Sequence, residues 1–129
     1  DVDHFKHYND TNGHLCGDEV LRQIASILRS RLRKTDSPCR FGGEEFAIML
    51  PETDSEQAVR VAETIRYIVA EHPFAGKEKQ PEGAVTVSIG VATYSASMLT
   101  PEELIDAADR ALYAAKGRGR NQTVLLSQN

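Results

Sequence analysis

Tryptophan is absent from this chain, and its four Tyr and four Phe are scattered rather than clustered. No platform on which successive bases of a single strand could stack is therefore visible. Cysteine is scarce: Cys16 and Cys39 lie 23 positions apart, with no His or Cys at a zinc-site spacing, so both read as reduced thiols. Positive charge is not in excess. Lys and Arg number 15 against 19 Asp and Glu, and the net charge of −4 argues against a nucleic-acid binder driven by bulk charge. There is no run of 18 apolar residues to cross a bilayer, and Asp1-Val2-Asp3-His4 lacks the basic and apolar segments of a signal peptide. The cytoplasm is the expected location. Repeats, low-complexity tracts and linkers are missing too, the longest polar stretch being the loop-sized Gly76 to Gly83. What is present, 129 residues with 40% hydrophobic and 26% charged side chains, reads as one soluble globular domain. A chain of this length buries roughly 65–70% of its unfolded surface, enough for a core without staples.

Apolar spacing then outlines the elements. Leu21, Ile24, Ile27, Leu28 and Leu32 predict an amphipathic helix over 16–33, preceded by a less certain helical segment near the start. Arg40-Phe41 and Glu45 to Leu50 flank Gly42-Gly43, the pattern of a β-hairpin with a tight turn. Ala58, Val61, Ala62, Ile65 and Val69 predict a helix over Ser55 to Glu71 with Ser55 as N-cap. Ala84 to Tyr94 alternates Val85, Val87, Ile89 and Val91 with Thr86, Ser88, Gly90 and Ala92, a strand whose small-residue face can admit a close neighbour. Thr100-Pro101-Glu102-Glu103 opens a helix to about Lys116, stopped by Gly117 and Gly119, and Thr123 to Leu126 forms a last strand. The expected class is α+β, a sheet with helices packed on it.

Two constellations exceed what packing needs. The first, DVDHFKHYNDTNGHLCGDE, holds Asp1, Asp3, Lys6, Asn9, His14 and Asp18 within 18 positions. A solvated, capped helix would explain the polarity but not its density. A calcium loop with Gly13 at its sixth position fails, because position one falls on Tyr8. The second is Arg40-Phe41-Gly42-Gly43-Glu44-Glu45-Phe46. A turn explains the glycines. On a regular strand Glu44 and Glu45 would face opposite ways and take different roles. A carboxylate there beside Asp1 would make an oxygen-rich site suited to Mg²⁺ and substrate phosphates.

DVDHFKHYNDTNGHLCGDE, RFGGEEF, TVSIGVA at 86–92 and ADRALYAAKGRGRN at 108–121 together closely resemble the GGDEF domain of bacterial diguanylate cyclases, in a GGEEF variant. The resemblance covers nearly the whole chain. It implies a nucleotidyl-cyclase or polymerase-palm type fold, with a ferredoxin-like core of central antiparallel sheet surrounded by helices and a hairpin carrying GGEEF. It also implies condensation of two GTP into cyclic di-GMP across a transient homodimer, with two Mg²⁺ per site, or Mn²⁺ on the same oxygens, and no role for nucleic acid.

Residue by residue, the resemblance implies metal ligation by Asp1, the Val2 carbonyl and Glu44. Glu44 also matches the proton acceptor, with Glu45 assisting, and which glutamate takes the proton stays open. Lys6 matches a phosphate-stabilising lysine next to Phe5, in a helix start that favours anions. Asn9 and Asp18 match guanine readers, and a carboxylate that accepts from N1–H and N2–H selects GTP over ATP. His14, Gly42 and Gly43 match further substrate-binding positions. Lys116 and Arg120 match contacts to the terminal phosphates, although basic residues near a helix C-terminus also serve the dipole. Arg33-Lys34-Thr35-Asp36 matches the RxxD site at which family members bind cyclic di-GMP as inhibitor; Arg33 can fork onto guanine O6 and N7 while Asp36 accepts from N1–H and N2–H. Thr64 stands where some members place a further basic residue of that site.

Family domains extend further at the N-terminus, so residues 1–129 are expected to be an N-terminally incomplete domain whose Asp1 belongs on a central strand. A free ammonium at Asp1 would oppose Mg²⁺. A regulatory or sensor region is expected upstream, and it can anchor the full-length protein to a membrane. The alternative function is a receptor that binds GTP or cyclic di-GMP without turnover; intact Glu44 and Glu45 favour the enzyme.

Overall fold

In the computed structural model, which describes residues 1–126, these patterns become four α-helices and four short strands. In order they are α1 (Phe5–Asn12), α2 (His14–Arg31), β1 (Ser37–Arg40), β2 (Phe46–Met49), α3 (Ser55–Glu71), β3 (Ile89–Val91), α4 (Pro101–Gly117) and β4 (Thr123–Leu125), with a 3-10 turn at Lys77–Lys79. Leu21, Ile24 and Leu28 bury the predicted stripe of α2 against Phe5, Tyr8, Ile65, Val69, Val85 and Val87. The early segment is indeed helical.

Helix ends depart from expectation in two places. The N-cap of α3 is Asp54, not Ser55. Its carboxylate accepts the Gln57 N–H at 2.8 Å, and Gln57 Oε1 accepts the Asp54 N–H at 3.2 Å. This reciprocal box satisfies two donors, whereas the Ser55 hydroxyl is turned to Thr93 at 2.7 Å. Gly117 does not stop α4 but belongs to it. The terminator is Gly119, at φ 112°: its N–H bonds the Lys116 carbonyl and the Arg120 N–H bonds the Ala115 carbonyl, the two bonds of a Schellman motif.

The hairpin is antiparallel, with Arg40 opposite Phe46 and Ser37 opposite Met49. Its turn is not tight. Residues 41–45 form an open loop in which the Glu45 carbonyl accepts the N–H groups of both Phe41 and Gly42, at 2.7 and 3.2 Å. Neither Gly42 nor Gly43 takes the positive φ that a two-residue turn of this hand needs. Arg40 braces the loop instead, its Nη2 donating to the Gly43 carbonyl at 2.6 Å and its Nε to Gly42 and Gly43 at 3.2 Å.

β3 and β4 pair in parallel, not antiparallel, because α4 lies between them as a crossover. The expected long strand is regular only over Ile89–Val91; its earlier part pairs with residues 1–3. There the Asp3 N–H bonds the Thr86 carbonyl at 2.9 Å, the Ser88 N–H bonds the Asp1 carbonyl at 3.0 Å, and Val2 bridges Val87. The small-residue face is not open to solvent, since Thr86 and Ser88 are buried as deeply as their valine neighbours. It does admit a close neighbour: a Cβ on Gly90 would stand 2.3 Å from the Ala108 carbonyl oxygen and the Leu112 nitrogen of α4. Buried Ala107, Ala111 and Ala115 complete this contact.

Gly90→Ala is therefore expected to push α4 off the sheet. Overpacking against rigid backbone should cost about 2–3 kcal/mol in urea unfolding. A variant within about 0.5 kcal/mol of wild type would refute this account of the α4 contact.

Candidate active site

The Asp1–Asp3 segment lies between two partners. On one side it pairs with residues 86–88; on the other the Val2 N–H donates to the Glu44 carbonyl at 3.1 Å. This single bond ties the GGEEF loop to the segment carrying Asp1. Because Glu44 and Glu45 precede β2, strand alternation does not govern them. They lie, half-buried, in the loop.

The charge around this junction is negative. The carboxylates of Asp3, Glu45 and Glu44 stand close enough to the Asp1 main chain to act on it electrostatically, with Lys116 opposing them. Lys116 Nζ sits 3.1 Å from Asp1 Oδ1. A cation is thus already drawn to the carboxylate at the centre of the oxygen set. Asp1, the Val2 carbonyl and Glu44 are hard oxygen donors of the kind that suits Mg²⁺, and the Val2–Glu44 bond sets their main chains side by side. Among the described residues, however, no group of three or more His, Cys, Asp or Glu is arranged to hold a metal ion.

Helix α1 starts directly after this segment. His4, its N-cap, adopts a left-handed φ of 52° and supplies no side-chain cap; the amides of Phe5, Lys6 and His7 are left at the open end of the helix. Lys6 is exposed in this first turn, while the Phe5 ring is buried under α2, leaving only its backbone for a ligand.

Asn9 is seated against Gly17, the residue before Asp18 on α2. A Cβ at residue 17 would lie 1.7 Å from Asn9 Oδ1, so the glycine is what gives the Asn9 amide its room. That Oδ1 is buried against Gly17 and has no hydrogen-bond partner among the described residues. Asp18 is exposed at the end of a groove of about 630 Å³ between α2 and the hairpin, whose walls include Arg22, Arg29, Cys39 and Phe46. His14 is exposed one turn before Asp18 on α2.

Arg120 follows Gly119 in the turn after α4 and is exposed, with φ 66°. Sequence reasoning passed over what fixes this turn. Asp3, 2% exposed, accepts hydrogen bonds from Thr86 Oγ1 at 2.8 Å, Ser88 Oγ at 2.6 Å and the Asn121 N–H at 3.0 Å. The available signal was Asp3 two residues after Asp1, matched by Thr86 and Ser88 two apart.

Arg33 and Asp36 lie elsewhere, about 20 Å from Asp18 along α2 at 1.5 Å per residue. They are paired with each other. Arg33 Nη2 reaches Asp36 Oδ1 at 2.8 Å and also the Pro51 carbonyl and Thr53 hydroxyl, and the Asp36 side chain is 3% exposed. Arg31, Arg60, Val61 and Thr64 line a second pocket of about 290 Å³; Arg60, one turn before Thr64, is a basic residue the sequence reading did not weigh.

Two short sheets flanked by helices, with an acidic junction beside an open helix N-terminus, define an α+β domain. The chain belongs to the family described as "Diguanylate cyclase, GGDEF domain", which it matches over residues 1–122. It is 47% identical over 124 residues to the response regulator PleD of Caulobacter vibrioides, covering 96% of this chain and 27% of PleD. To diguanylate cyclase A of Treponema denticola it is 42% identical over 129 residues, all of this chain and 34% of that protein. The chain thus spans about a third or less of these curated relatives. Among solved structures, the active GGEEF domain of a diguanylate cyclase from Vibrio cholerae superposes with a TM-score of 0.90 at 36% identity, covering 100% of this chain and 80% of that one. The GGDEF domain of DgcB from Caulobacter crescentus, in complex with c-di-GMP, gives 0.89 at 35% identity, with 99% and 75% covered. The expected nucleotidyl-cyclase class of fold is borne out. No helix among the described residues is long and apolar enough to cross a membrane.

The hydrogen bonds from Arg33 hold the Asp36 carboxyl below its ordinary range, against the opposing pull of burial. A depressed folded pKa contributes stability that is present above the unfolded value of about 3.9 and is lost as pH falls through the folded one. The difference in Tm between wild type and Asp36→Asn should therefore be full at pH 6 and close in acid. A gap that is unchanged at pH 2.5 would show that ionisation of the pair does not matter.

Proposed function

We propose that this chain is the catalytic domain of a diguanylate cyclase, which joins two GTP into cyclic di-GMP with release of two pyrophosphates. The observation that carries the reading is the Val2–Glu44 backbone bond, which sets the GGEEF loop against Asp1 at the mouth of α1. Asp1, the Val2 carbonyl and Glu44 would hold Mg²⁺, two ions per site or Mn²⁺ in their place, which when bound supply charge neutralisation at the α-phosphate and leaving pyrophosphate. Glu44 or Glu45 takes the proton of the 3′-hydroxyl as its oxygen forms a bond to the α-phosphorus of the other GTP. The bond to pyrophosphate breaks in the same displacement.

The remaining residues bind and orient. The Asn9 amide would contact guanine, and the exposed Asp18 would accept from its N1–H and N2–H. The free amides of α1, with Lys6, Lys116 and Arg120, face the phosphates, and His14 stands at the edge of the guanine site. Gly43 supports close approach of a ligand, because a Cβ there would meet no protein atom and its φ does not demand glycine. Each domain presents one GTP, so catalysis needs a second copy with its loop facing the first.

Glu44→Gln should reduce synthesis from GTP and Mg²⁺ below 1% of wild type, read chromatographically as cyclic di-GMP, while wild-type output rises faster than linearly with protein concentration. GTP or cyclic di-GMP bound without any product would move the protein to the receptor class.

Product inhibition at Arg33 and Asp36 is part of the proposal. Cyclic di-GMP must part the existing Arg33–Asp36 pair to take its own bonds from them, and Arg60, which shares a pocket with Arg31 and Thr64, is the basic residue of α3 that would add a contact. Arg33→Ala should retain initial rates and lose inhibition by added cyclic di-GMP by at least about tenfold, as expected for a forked, charge-assisted contact. An unchanged inhibition curve would remove the site from the scheme.

A further inference from the structure

The turn after α4 is costly. Gly119, Arg120 and Asn121 follow one another with φ of 112°, 66° and 47°, and two of the three carry a side chain. L residues in the left-handed region are disfavoured by about 1–2 kcal/mol each, so such a pair persists only where its surroundings hold it. The Schellman bond from the Arg120 N–H to Ala115 fixes the first half. The second half is gripped from two sides: the Asn121 N–H donates to Asp3 Oδ2 at 3.0 Å, and Arg66 Nη1 donates to Asn121 Oδ1 at 3.0 Å.

Asp3 is an unusual anchor for this purpose. Its buried carboxylate is satisfied by three uncharged donors from two other elements, the Ser88 hydroxyl on Oδ1 and the Thr86 hydroxyl and Asn121 amide on Oδ2. It lies two residues from Asp1 on the same extended segment, and alternate residues of such a segment share a face. One side chain thus links the segment of the acidic junction to the turn that presents Arg120.

We propose that Asp3 is a positioning residue that clamps the Arg120–Asn121 turn and so aims the Arg120 guanidinium at the terminal phosphates of the nucleotide. This rests on the reading of the site as one for GTP. Asp3 touches no substrate; it acts through the Asn121 backbone. Replacing it by Asn keeps size and shape, and the two hydroxyls can reorient to a carboxamide. An Asn side chain can still turn its oxygen to the Asn121 N–H and its Nδ2 to the Ser88 hydroxyl, so the variant keeps the bond but strips it of the carboxylate's charge.

The test is the affinity of the protein for a non-hydrolysable GTP analogue and for GMP, which lacks the terminal phosphates, measured by calorimetry with Mg²⁺. Asp3→Asn should weaken the GTP analogue about fivefold, the difference between a hydrogen bond to a charged acceptor and one to a neutral acceptor, and leave GMP within twofold. Asp3→Asn combined with Arg120→Ala should bind no worse than Arg120→Ala alone, since both remove one contact. Arg66→Met leaves the buried carboxylate untouched and should give a smaller loss, about twofold to threefold, confined to the GTP analogue. Equal losses for GMP, additive effects in the double variant, or an unchanged preference for the GTP analogue in both single variants would each overturn the clamp. A wild-type protein that binds neither nucleotide would instead overturn the GTP reading, and the clamp with it.

Discussion

The backbone of Asp1–Asp3 is the joint on which the domain turns. β1–β2 and β3–β4 are each only two strands wide, and such pairs are marginal on their own in water. The bond from Val2 to Glu44 on one side, and the exchange between residues 1–3 and 86–88 on the other, connect them into one continuous arrangement. Buried backbone groups must be paired, so the three residues are constrained from both edges at once. Their side chains inherit that constraint. Val2 is sealed in the core, while Asp1 and Asp3 are carried to the other face.

Close packing at the opposite edge follows from residue size. Gly90 lets the α4 backbone approach β3, and the buried alanines of α4 make the surface that approaches. This closeness decides where α4 ends, and hence where Lys116 and the Arg120 turn stand relative to Asp1. The Lys116–Asp1 ion pair at 3.1 Å is a consequence of a glycine more than twenty residues earlier in the chain. In the same way Gly17 acts at a distance from any chemistry, by vacating the volume that the Asn9 amide fills.

What could be read from the sequence was what depends on one element at a time. The stripes of α2, α3 and α4 repeat over many residues, so their existence and buried faces were legible. Asp54 over Ser55 as cap, and Gly119 over Gly117 as terminator, turned on single hydrogen bonds between neighbours that spacing does not rank. The GGEEF turn was misjudged because Gly-Gly is ambiguous: it signals positive φ, but it equally signals room for something outside the chain, and here neither glycine is left-handed. Asp3 was seen but given no role. Its partners are 83 and 118 positions away, and no local pattern announces them.

Electrostatics explains why the junction needs both its acids and its bases. Asp1, Asp3, Glu44 and Glu45 crowd a small, partly buried volume, and like charges at such separations destabilise the fold unless something answers them. Asp3 is answered by neutral donors alone, which fixes it in place without consuming a cation. Asp1 is answered by Lys116, a residue whose flexible stem allows its ammonium to leave. The two acids therefore differ in kind: one is locked into the architecture, and the other is held in a pair that a divalent cation or a phosphate can reopen. For the proposed nucleotide site this division suits highly charged ligands, with one carboxylate satisfied by fixed hydrogen bonds and the other by a mobile side chain.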